Sequence, residues 1–473
     1  MHKKLDVETL DKLITHQHKT GNIRGVLPFV TKDVKARLQG EVRTVLGEFS
    51  RQVCSQTLEN DQDPLHLHET SATYDIQEKT IIERMTADVT SDNEDDRYDL
   101  ERLLSTLLFN NEKDVQAIHP HIFLYYPLSK GKRGNLEKRV AHFLKDVLVI
   151  DQPTKVADVF NKKNDEDLLV SMILHHLDEL EDDTKPKGKN DYQSLLPSAT
   201  EMFIDDFFFL SSRRDFFLEH FELFLHHYYF LYVSQLTFKF AMFTDGNYSH
   251  VNPLYYSLDW ESLNKRRKAF NDVYSFKGLR DRAPYVFVHV HTQSQLSHNW
   301  LNNEGNTFMT YNDLSKKLEN EASDNEKAEF LDDLNEWLTK YASKMNFESP
   351  QNSTSIKSAI KNLYNSLKEG MSSEVCKNYG KLVEDAAFGK FLKARGSLGH
   401  TLNITQDFLL MLTALAVKNR PRIALKELFV EFEKRGIKLD RYSQKEVVDL
   451  LDSLNIIEKK SDSGDAQYVK PIL

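Results

Sequence analysis

Cysteine, glycine and proline are all scarce in this sequence: 473 residues contain 2 cysteines, 17 glycines and 12 prolines. Cys54 and Cys376 lie far apart and form no CxxC motif, which excludes a disulfide framework or a zinc ribbon and is typical of a reducing compartment. Because so few turns are encoded, the composition favours long helices over a many-stranded β fold. We therefore expect a helical, cytoplasmic protein.

The sequence also lacks a segment suited to export or to a lipid bilayer. Its first residues, MHKKLDVETL, contain no apolar stretch of the kind found in a secretory signal. The most apolar region, 203–243, is interrupted by charged side chains that a bilayer would penalise, among them Asp205, Asp206, Arg213 and Lys239. This pattern predicts buried helices of a large soluble core and no membrane association.

Positive charge is in short supply as well. The chain has 62 lysines and arginines against 72 aspartates and glutamates, for a formal net charge of −10. A protein that wraps duplex DNA by itself is usually basic on its binding face and often overall. Any contact with DNA must therefore use local basic patches, or occur beside a more basic partner.

The sequence divides by composition into three segments. Residues 1–99 predict an N-terminal helical region that ends in an acidic loop, SDNEDDRYD. Residues 100–395 predict a large aromatic-rich helical body with a few short strands, and the glycine-containing stretch ARGSLGHTLN (394–403) reads as a linker. Residues 396–473 predict a C-terminal winged helix. The expected fold class is mainly α, a multi-helix body with a C-terminal winged-helix domain.

Two patterns in the body carry specific predictions. The aromatic region 203–243 has charges at helical spacing and predicts two long helices with a break near Ser211–Ser212. The stretch YVFVHVH (285–291) alternates with a period of two and predicts a β-strand. On a strand, His289 and His291 would share one face.

The C-terminal segment has the clearest order of elements. Asn403 is a predicted cap for an apolar helix, Pro421 ends that helix, and a short extended piece leads into a second helix that stops at Gly436. Ser443 and Glu446 form a predicted capping box for a third helix. The strings IIEKK and AQYVKPIL then predict two strands around a glycine-containing turn. Helix, short strand, helix, helix and hairpin is the winged-helix order.

The residues of this module leave its role open between DNA contact and protein docking. The outward face of the third helix offers Gln444 and Lys445, but also Asp449 and Asp452, and no arginine for a bidentate guanine contact. On the predicted hairpin, three lysines could touch backbone phosphates. These lysines are Lys459, Lys460 and Lys470. Protein docking is the favoured interpretation, ahead of backbone contact and of base readout.

Two further basic stretches are candidate phosphate-binding surfaces. NKRRKAF (264–270) is the denser one, and GKRGNLEKR (131–139) is the other. Their candidate residues are Lys265, Arg266, Arg267, Lys268, Lys132 and Arg133. Each stretch is either a solvated helix face paired with the protein's own acids or a surface that tracks phosphates inside a complex.

Motifs for catalysis are weak throughout. SKGKRGN (129–135) lacks the ending of a phosphate-binding loop, so nucleotide hydrolysis is not expected. Glu458-Lys459-Lys460 has the Glu-x-Lys spacing of restriction nucleases, but no upstream strand supplies the matching aspartate. The histidines at 289, 291 and 298 could hold a metal only in principle. We expect no catalytic residue, no metal and no cofactor.

The segment RIALKELFVEFEKRGIKLDRYSQKEVVDLLDSLNIIEKKSDSGDAQYVKPIL (422–473) resembles the C-terminus of the DptG family, the G component of DNA phosphorothioation-dependent restriction systems. Its most specific stretches are 425–436 and 454–473, and the likeness covers roughly the last 75 residues. The resemblance implies an antiviral defence role in bacteria, in a complex with two ATPase-type partners, the F and H components. That complex attacks double-stranded DNA whose backbone lacks phosphorothioate.

The resemblance rests on no catalytic motif, so it carries over no catalytic residue. The expected function is a non-catalytic subunit that bridges the ATPase partners and contacts the DNA backbone within the complex. Two alternatives stay open: a cryptic metal-dependent nuclease subunit of the same complex, and a winged-helix transcription regulator.

Overall fold

The computed structural model describes residues 3–15, 17–58, 81–87, 89, 93–110, 115–163, 167–183, 191–459 and 467–473. Over this part of the chain the protein is mainly helical, as predicted. The helices are α1 (Val7–Leu13), α2 (Arg43–Cys54), α3 (Ile81–Ala87), α4 (Glu94–Leu108), α5 (Lys132–Leu148), α6 (Pro153–Asn161), α7 (Leu168–His176), α8 (Pro197–Ser211), α9 (Arg214–Ala241), α10 (Lys268–Asn271), α11 (Phe276–Arg282), α12 (Val286–Leu296), α13 (Tyr311–Glu321), α14 (Asp324–Met345), α15 (Ile356–Gly370), α16 (Ser373–Asp385), α17 (Gln406–Val417), α18 (Leu425–Lys434) and α19 (Arg441–Ser453).

The strands are short. They are β1 (Gln56–Thr57), β2 (Glu181–Asp182), β3 (Leu254–Leu258), β4 (Leu392–Ala394), β5 (His400–Ile404), β6 (Ile423–Ala424), β7 (Ile437–Leu439), β8 (Ile457–Lys459) and β9 (Gln467–Val469). In the part of the chain described above, none of the helices has both the length and the apolarity needed to cross a membrane.

The chain divides into two compact units. The first contains Met1–Gly40, Asn190–Ala199 and Tyr229–Ile472; the second contains Glu41–Lys189 and Thr200–Tyr228, with Leu473. Neither predicted boundary, 99/100 or 395/396, coincides with a boundary between these units. Isolated β-bridges join separate segments of the first unit, since Leu5 pairs with Asn299 and Gly25 pairs with Tyr192.

The aromatic helices follow the sequence pattern. α8 ends at Ser211 and α9 begins at Arg214, so the break lies where it was predicted. In the second unit, aromatic rings within and between the two helices pack at tilted and edge-to-face angles. The Phe217 and Phe221 ring centroids are 4.6 Å apart, and Phe207 meets Phe217 edge-on at 5.7 Å. Such pairs add stabilisation beyond the apolar area that they bury.

The first unit contains a four-stranded sheet of order β4-β5-β3-β7. β3 pairs parallel with β5 on one side and with β7 on the other, while β4 and β5 pair antiparallel. The prediction that 394–403 is a linker was therefore wrong. This stretch closes a β-hairpin, in which Gly399 adopts a positive φ of 73° that an L side chain would strain.

The predicted strand at 285–291 was also wrong, because these residues begin helix α12. Val286, Val288, His289 and His291 are all buried in the helix. A segment that is buried nearly all round has no polar, solvent-facing side. Seven alternating residues are then too few to distinguish the period of two of a strand from the period of 3.6 of a helix. On a helix, His289 and His291 point in nearly opposite directions, which removes the shared face on which the metal option depended.

The C-terminal helices begin at different residues from those predicted. Thr405, and not Asn403, caps α17 by accepting a hydrogen bond from the Phe408 N–H, because Asn403 belongs to β5. Asp440 caps α19, which starts at Arg441. The predicted capping box at Ser443 was therefore wrong: this serine is buried inside the first turn.

A small antiparallel sheet completes the C-terminal part. Its order is β6-β9-β8, with Ile423 opposite Val469 and Ile457 opposite the same valine on the other side. The two final strands pair as the sequence predicted. Lys460 and the predicted turn lie outside the described residues.

Candidate nucleic-acid interface

The candidate site forms where the segment after β3 meets the start of α19. β3 is buried along its whole length, and its parallel pairing with β7 places Leu254 opposite Ile437 and Tyr256 opposite Leu439. The chain leaves β3 toward Glu261 and Arg267, and leaves β7 toward Asp440. The three residue pairs between β3 and β7 thus bring together segments that are far apart in the sequence.

Arg267 is buried at this meeting point and is bonded on several sides. Its Nε donates to Asp440 Oδ2 at 2.6 Å, and its Nη2 donates to Asp440 Oδ1 at 2.8 Å and to Glu261 Oε2 at 3.0 Å. Nη2 also lies 2.9 Å from Ser443 Oγ. Since its guanidinium is buried and paired, Arg267 is not an exposed phosphate-binding cation, and we correct that expectation.

The Asp440 carboxylate beside Arg267 is held in its ionised form. Burial acts to raise the pKa of Asp440, but hydrogen bonds from Arg267 and from the backbone N–H groups of Ser443 and Tyr442 keep that pKa below its usual value. Burial likewise opposes charge on Arg267, and its bonds to Asp440 and Glu261 nevertheless raise its pKa. The contact is a charged, hydrogen-bonded network. Its buried, bidentate geometry holds the side chains in place more firmly than an exposed ion pair would.

Exposed basic side chains surround the network on both sequence segments. We call this region the junction surface. It consists of Lys265, Arg266, Lys268, Arg441, Tyr442 and Lys445, all exposed to solvent. Two of the predicted candidate stretches, 265–268 and 444–445, therefore come together in the first unit.

Tyr442 is the aromatic member of the junction surface. The residue is 52% exposed, and the guanidinium carbons of Arg267 and Arg441 lie 4.9 and 4.8 Å from the centroid of its ring. Arg441 Nη2 also donates to the tyrosine hydroxyl at 2.8 Å. These cation–π contacts order the arginine side chains before any ligand binds.

Sequence reasoning missed Arg441 and Tyr442 as candidates because it started the third helix three residues too late. Asp440 is an equally good cap by residue type, and its side chain accepts from the N–H groups of Tyr442 and Ser443 at 3.1 Å. Reading Asp440 as the cap would have placed Arg441 in the first turn. That end of a recognition helix is the one that approaches bases and phosphates in helix-turn-helix proteins.

The other candidates on α19 differ in exposure. Gln444 is half-buried, and its side chain donates to the Leu439 carbonyl at 3.1 Å, so it is engaged within the protein. Lys445 is exposed. Farther along the helix Asp449 is exposed, and Asp452 pairs with Lys459 at 2.8 Å. Positive charge is therefore confined to the first turns of α19.

The terminal strands offer less than the sequence suggested. Lys459 is exposed but paired with Asp452, Lys470 is exposed, and Lys460 lies outside the described residues. Glu458, the acid of the Glu-x-Lys spacing, forms an ion pair with Arg422 at 2.9 Å. These contacts give the glutamate a structural role between β8 and the residue before β6.

The second basic stretch belongs to the other unit. Lys132 is exposed at the start of α5, whereas Arg133 is engaged by two carboxylates, Glu137 at 3.2 Å and Glu41. Lys132 is therefore the exposed one of these two candidate residues.

The histidines that raised the metal option are packed among aromatic side chains. His289 stacks on Tyr364 with centroids 4.4 Å apart, and His298 Nε2 lies 3.1 Å from the Thr20 carbonyl oxygen. Among the residues whose positions are described, no group of three or more His, Cys, Asp or Glu side chains is arranged to hold a metal ion.

A comparison with protein families and one with curated proteins found no match to this chain.

Proposed function

We propose that this chain is a non-catalytic subunit of a bacterial antiphage restriction complex that acts on DNA lacking phosphorothioate. In this proposal it bridges two ATPase-type partners, the F and H components, and contacts the DNA backbone through the junction surface. The resemblance of residues 422–473 to the DptG family supports the identity of the complex. One structural observation carries the DNA contact: Arg267 and Asp440 join two basic segments into one surface.

We further propose that residues 406–473 form a winged helix. The order α17, β6, α18, α19, β8, β9 supports this assignment, as does the pairing of β6 with β9 and of β9 with β8. In such a module α19 is the recognition helix. β7 then lies between its second and third helices, and its pairing with β3 attaches the module to the rest of the first unit.

The charges favour backbone contact over base readout. Lysine and arginine side chains of the junction surface carry five positive charges, which suit phosphate oxygens. Beyond the first turns, α19 presents Asp449 and Asp452 to solvent, and these would repel phosphates if the helix lay along the major groove. We therefore expect binding that depends strongly on salt and weakly on sequence.

Substitution of single exposed cations tests the DNA contact. For Arg266→Ala or Lys445→Ala, the slope of log K against log salt concentration should fall in magnitude by about 0.9 for each lost phosphate contact, on duplexes of any sequence. Fluorescence anisotropy of a labelled duplex at several salt concentrations measures this slope.

The matched control is Lys340→Ala, which removes an exposed lysine of α14 that pairs with Glu336 at 2.7 Å. This control should leave the slope unchanged. Lys132→Ala tests the stretch in the second unit in the same assay. Equal slopes for Lys340→Ala, Arg266→Ala and wild type would contradict a contact through the junction surface.

The bridging role has its own test. Affinity purification of the tagged chain from a host that carries the neighbouring genes should recover both ATPase-type components at fixed ratios. Mass spectrometry identifies them. If those two components assemble into a fully active pair without this chain, the bridging proposal is contradicted, whatever the DNA assay shows.

A further inference from the structure

The buried network at the junction consists of Arg267, Asp440, Glu261 and Ser443, and Ser443 is its uncharged residue. Ser443 is fully buried; its hydroxyl lies 2.9 Å from Arg267 Nη2 and donates to Glu261 Oε1 at 2.7 Å. The same Glu261 oxygen accepts from the Leu258 N–H at 2.9 Å. The network therefore connects the end of β3, the segment after it and the first turn of α19.

We propose that Arg267 is a positioning residue: it holds the basic segment 265–268 against the start of α19, so that the cations of both segments meet one DNA backbone, and it makes no DNA contact itself. This inference rests on the proposed function and assigns the buried members of the network a role in it. Arg267 and Asp440 are 173 residues apart in sequence, so local structure cannot hold them together.

The pairing of β3 with β7 spans only three residue pairs, which is too short to be strong by itself. The network supplies what the strands lack. Arginine can bond Asp440 with two parallel N–H groups while reaching Glu261 with the same fork, and the compact ammonium of lysine cannot reproduce this planar geometry. Charge alone should therefore not replace Arg267.

The same substitution at a second arginine, outside the junction surface, separates positioning from the general effect of an Arg-to-Lys change. Arg97→Lys keeps the charge of an exposed arginine that pairs with Glu101 on α4, and it should bind duplex DNA as wild type does. Arg267→Lys also keeps the charge, but it should weaken DNA binding at least tenfold. It should also lower the magnitude of the salt slope by more than the loss of one phosphate contact would, because all the cations of segment 265–268 move away from the DNA backbone. Anisotropy of the full-length chain with a labelled duplex measures both quantities.

Ser443→Ala gives a second, milder test that removes no charge. It should weaken DNA binding at least threefold, although residue 443 is buried and cannot touch DNA. Hydrogen exchange should show lost protection at Tyr255–Tyr256 and Ile437–Leu439, with the helices of the core, such as α14, unchanged. This comparison keeps the test valid if Arg267→Lys folds poorly.

The outcomes distinguish the two levels of the proposal. Wild-type binding that survives in both Arg267→Lys and Ser443→Ala, with exchange at β3 and β7 accelerated, would overturn the positioning role and leave the DNA contact standing. Full rescue by Arg267→Lys together with loss in Arg267→Met would show a direct charge contact and also overturn it. If wild type binds no duplex at low salt, the proposed DNA contact fails, and this inference fails with it.

Discussion

Replacing Arg51 by methionine is expected to destabilise the second unit by about 3–5 kcal/mol, the cost typical of removing one partner of a buried ion pair. Arg51 is 1% exposed and lies in the last turn of α2. Its Nη2 donates to Glu48 at 3.0 Å, and its Nη1 donates to the carbonyl oxygens of Leu124 and Tyr126 at 2.8 and 2.7 Å. The substitution strands one buried carboxylate and two buried carbonyl groups.

Hydrogen exchange of the α2 amides measures this effect, and protection should fall by roughly a hundredfold or more. The double variant Glu48→Gln with Arg51→Met removes the uncompensated charge and should recover a large part of the loss. Arg97→Met is the matched control, since Arg97 and Glu101 form an exposed pair on α4, and it should cost at most about 0.5 kcal/mol. Equal losses for Arg97→Met and Arg51→Met would contradict the assigned role of burial.

Acidification from pH 7 to pH 5 is expected to destabilise the first unit through three histidines. Burial lowers the pKa of His18 to about 4 and those of His289 and His291 to about 3, with the neighbouring His18 also lowering that of His291. His18 Nε2 lies 2.7 Å from Tyr341 Oη, and the His18 and His291 rings meet edge to face at 6.0 Å. There is no room for a solvated imidazolium among these rings.

The sign of the pH dependence follows from these lowered values. In the unfolded chain a histidine takes up its proton near pH 6.5, whereas the folded protein resists protonation until pH 3–4. The unfolded state therefore binds more protons between these values. The full stability is present above about pH 6.5, and at pH 5 each of the three histidines should have removed about 2 kcal/mol of it.

Urea unfolding at pH values from 8 to 5 tests this expectation. His291→Leu should flatten the dependence on pH, because it removes a ring whose Nδ1 has no hydrogen-bond partner in the buried site. His175→Gln changes an exposed histidine and should leave the dependence as it is in wild type. A midpoint that stays constant from pH 8 to 5 in wild type would rule out neutral buried histidines in the folded state.

Much of the fold could be predicted from the sequence because it depends on neighbours along the chain. The scarcity of glycine and proline, with apolar residues at helical spacing, correctly indicated a mainly helical protein. The break between α8 and α9 and the two final strands were also found by local pattern. Where burial is complete, as at 285–291, the pattern has no polar side, and the prediction failed.

The candidate site could be predicted only in part. The basic composition of 264–270 identified one of the two segments of the junction surface, and Lys445 of the other segment was identified on the third helix. What no local pattern could reveal is that Arg267 turns inward while Arg266 and Lys268 stay exposed. The start of α19 was missed because two capping residues, Asp440 and Ser443, compete in the sequence, and burial against Glu261 decides between them.

By itself, the amino-acid sequence determined that the protein is mainly helical, where the two aromatic helices are separated, that the final strands pair, and which stretches carry positive charge. These properties follow from backbone preferences and side-chain periodicity over a few turns. Only the tertiary structure decided that β3 lies between β5 and β7, and that Arg267 meets Asp440 across 173 residues. Such pairings form because distant polar and charged groups are buried against one another and must satisfy each other's hydrogen bonds. Which groups are buried together is a property of the packed chain and not of any one segment of it.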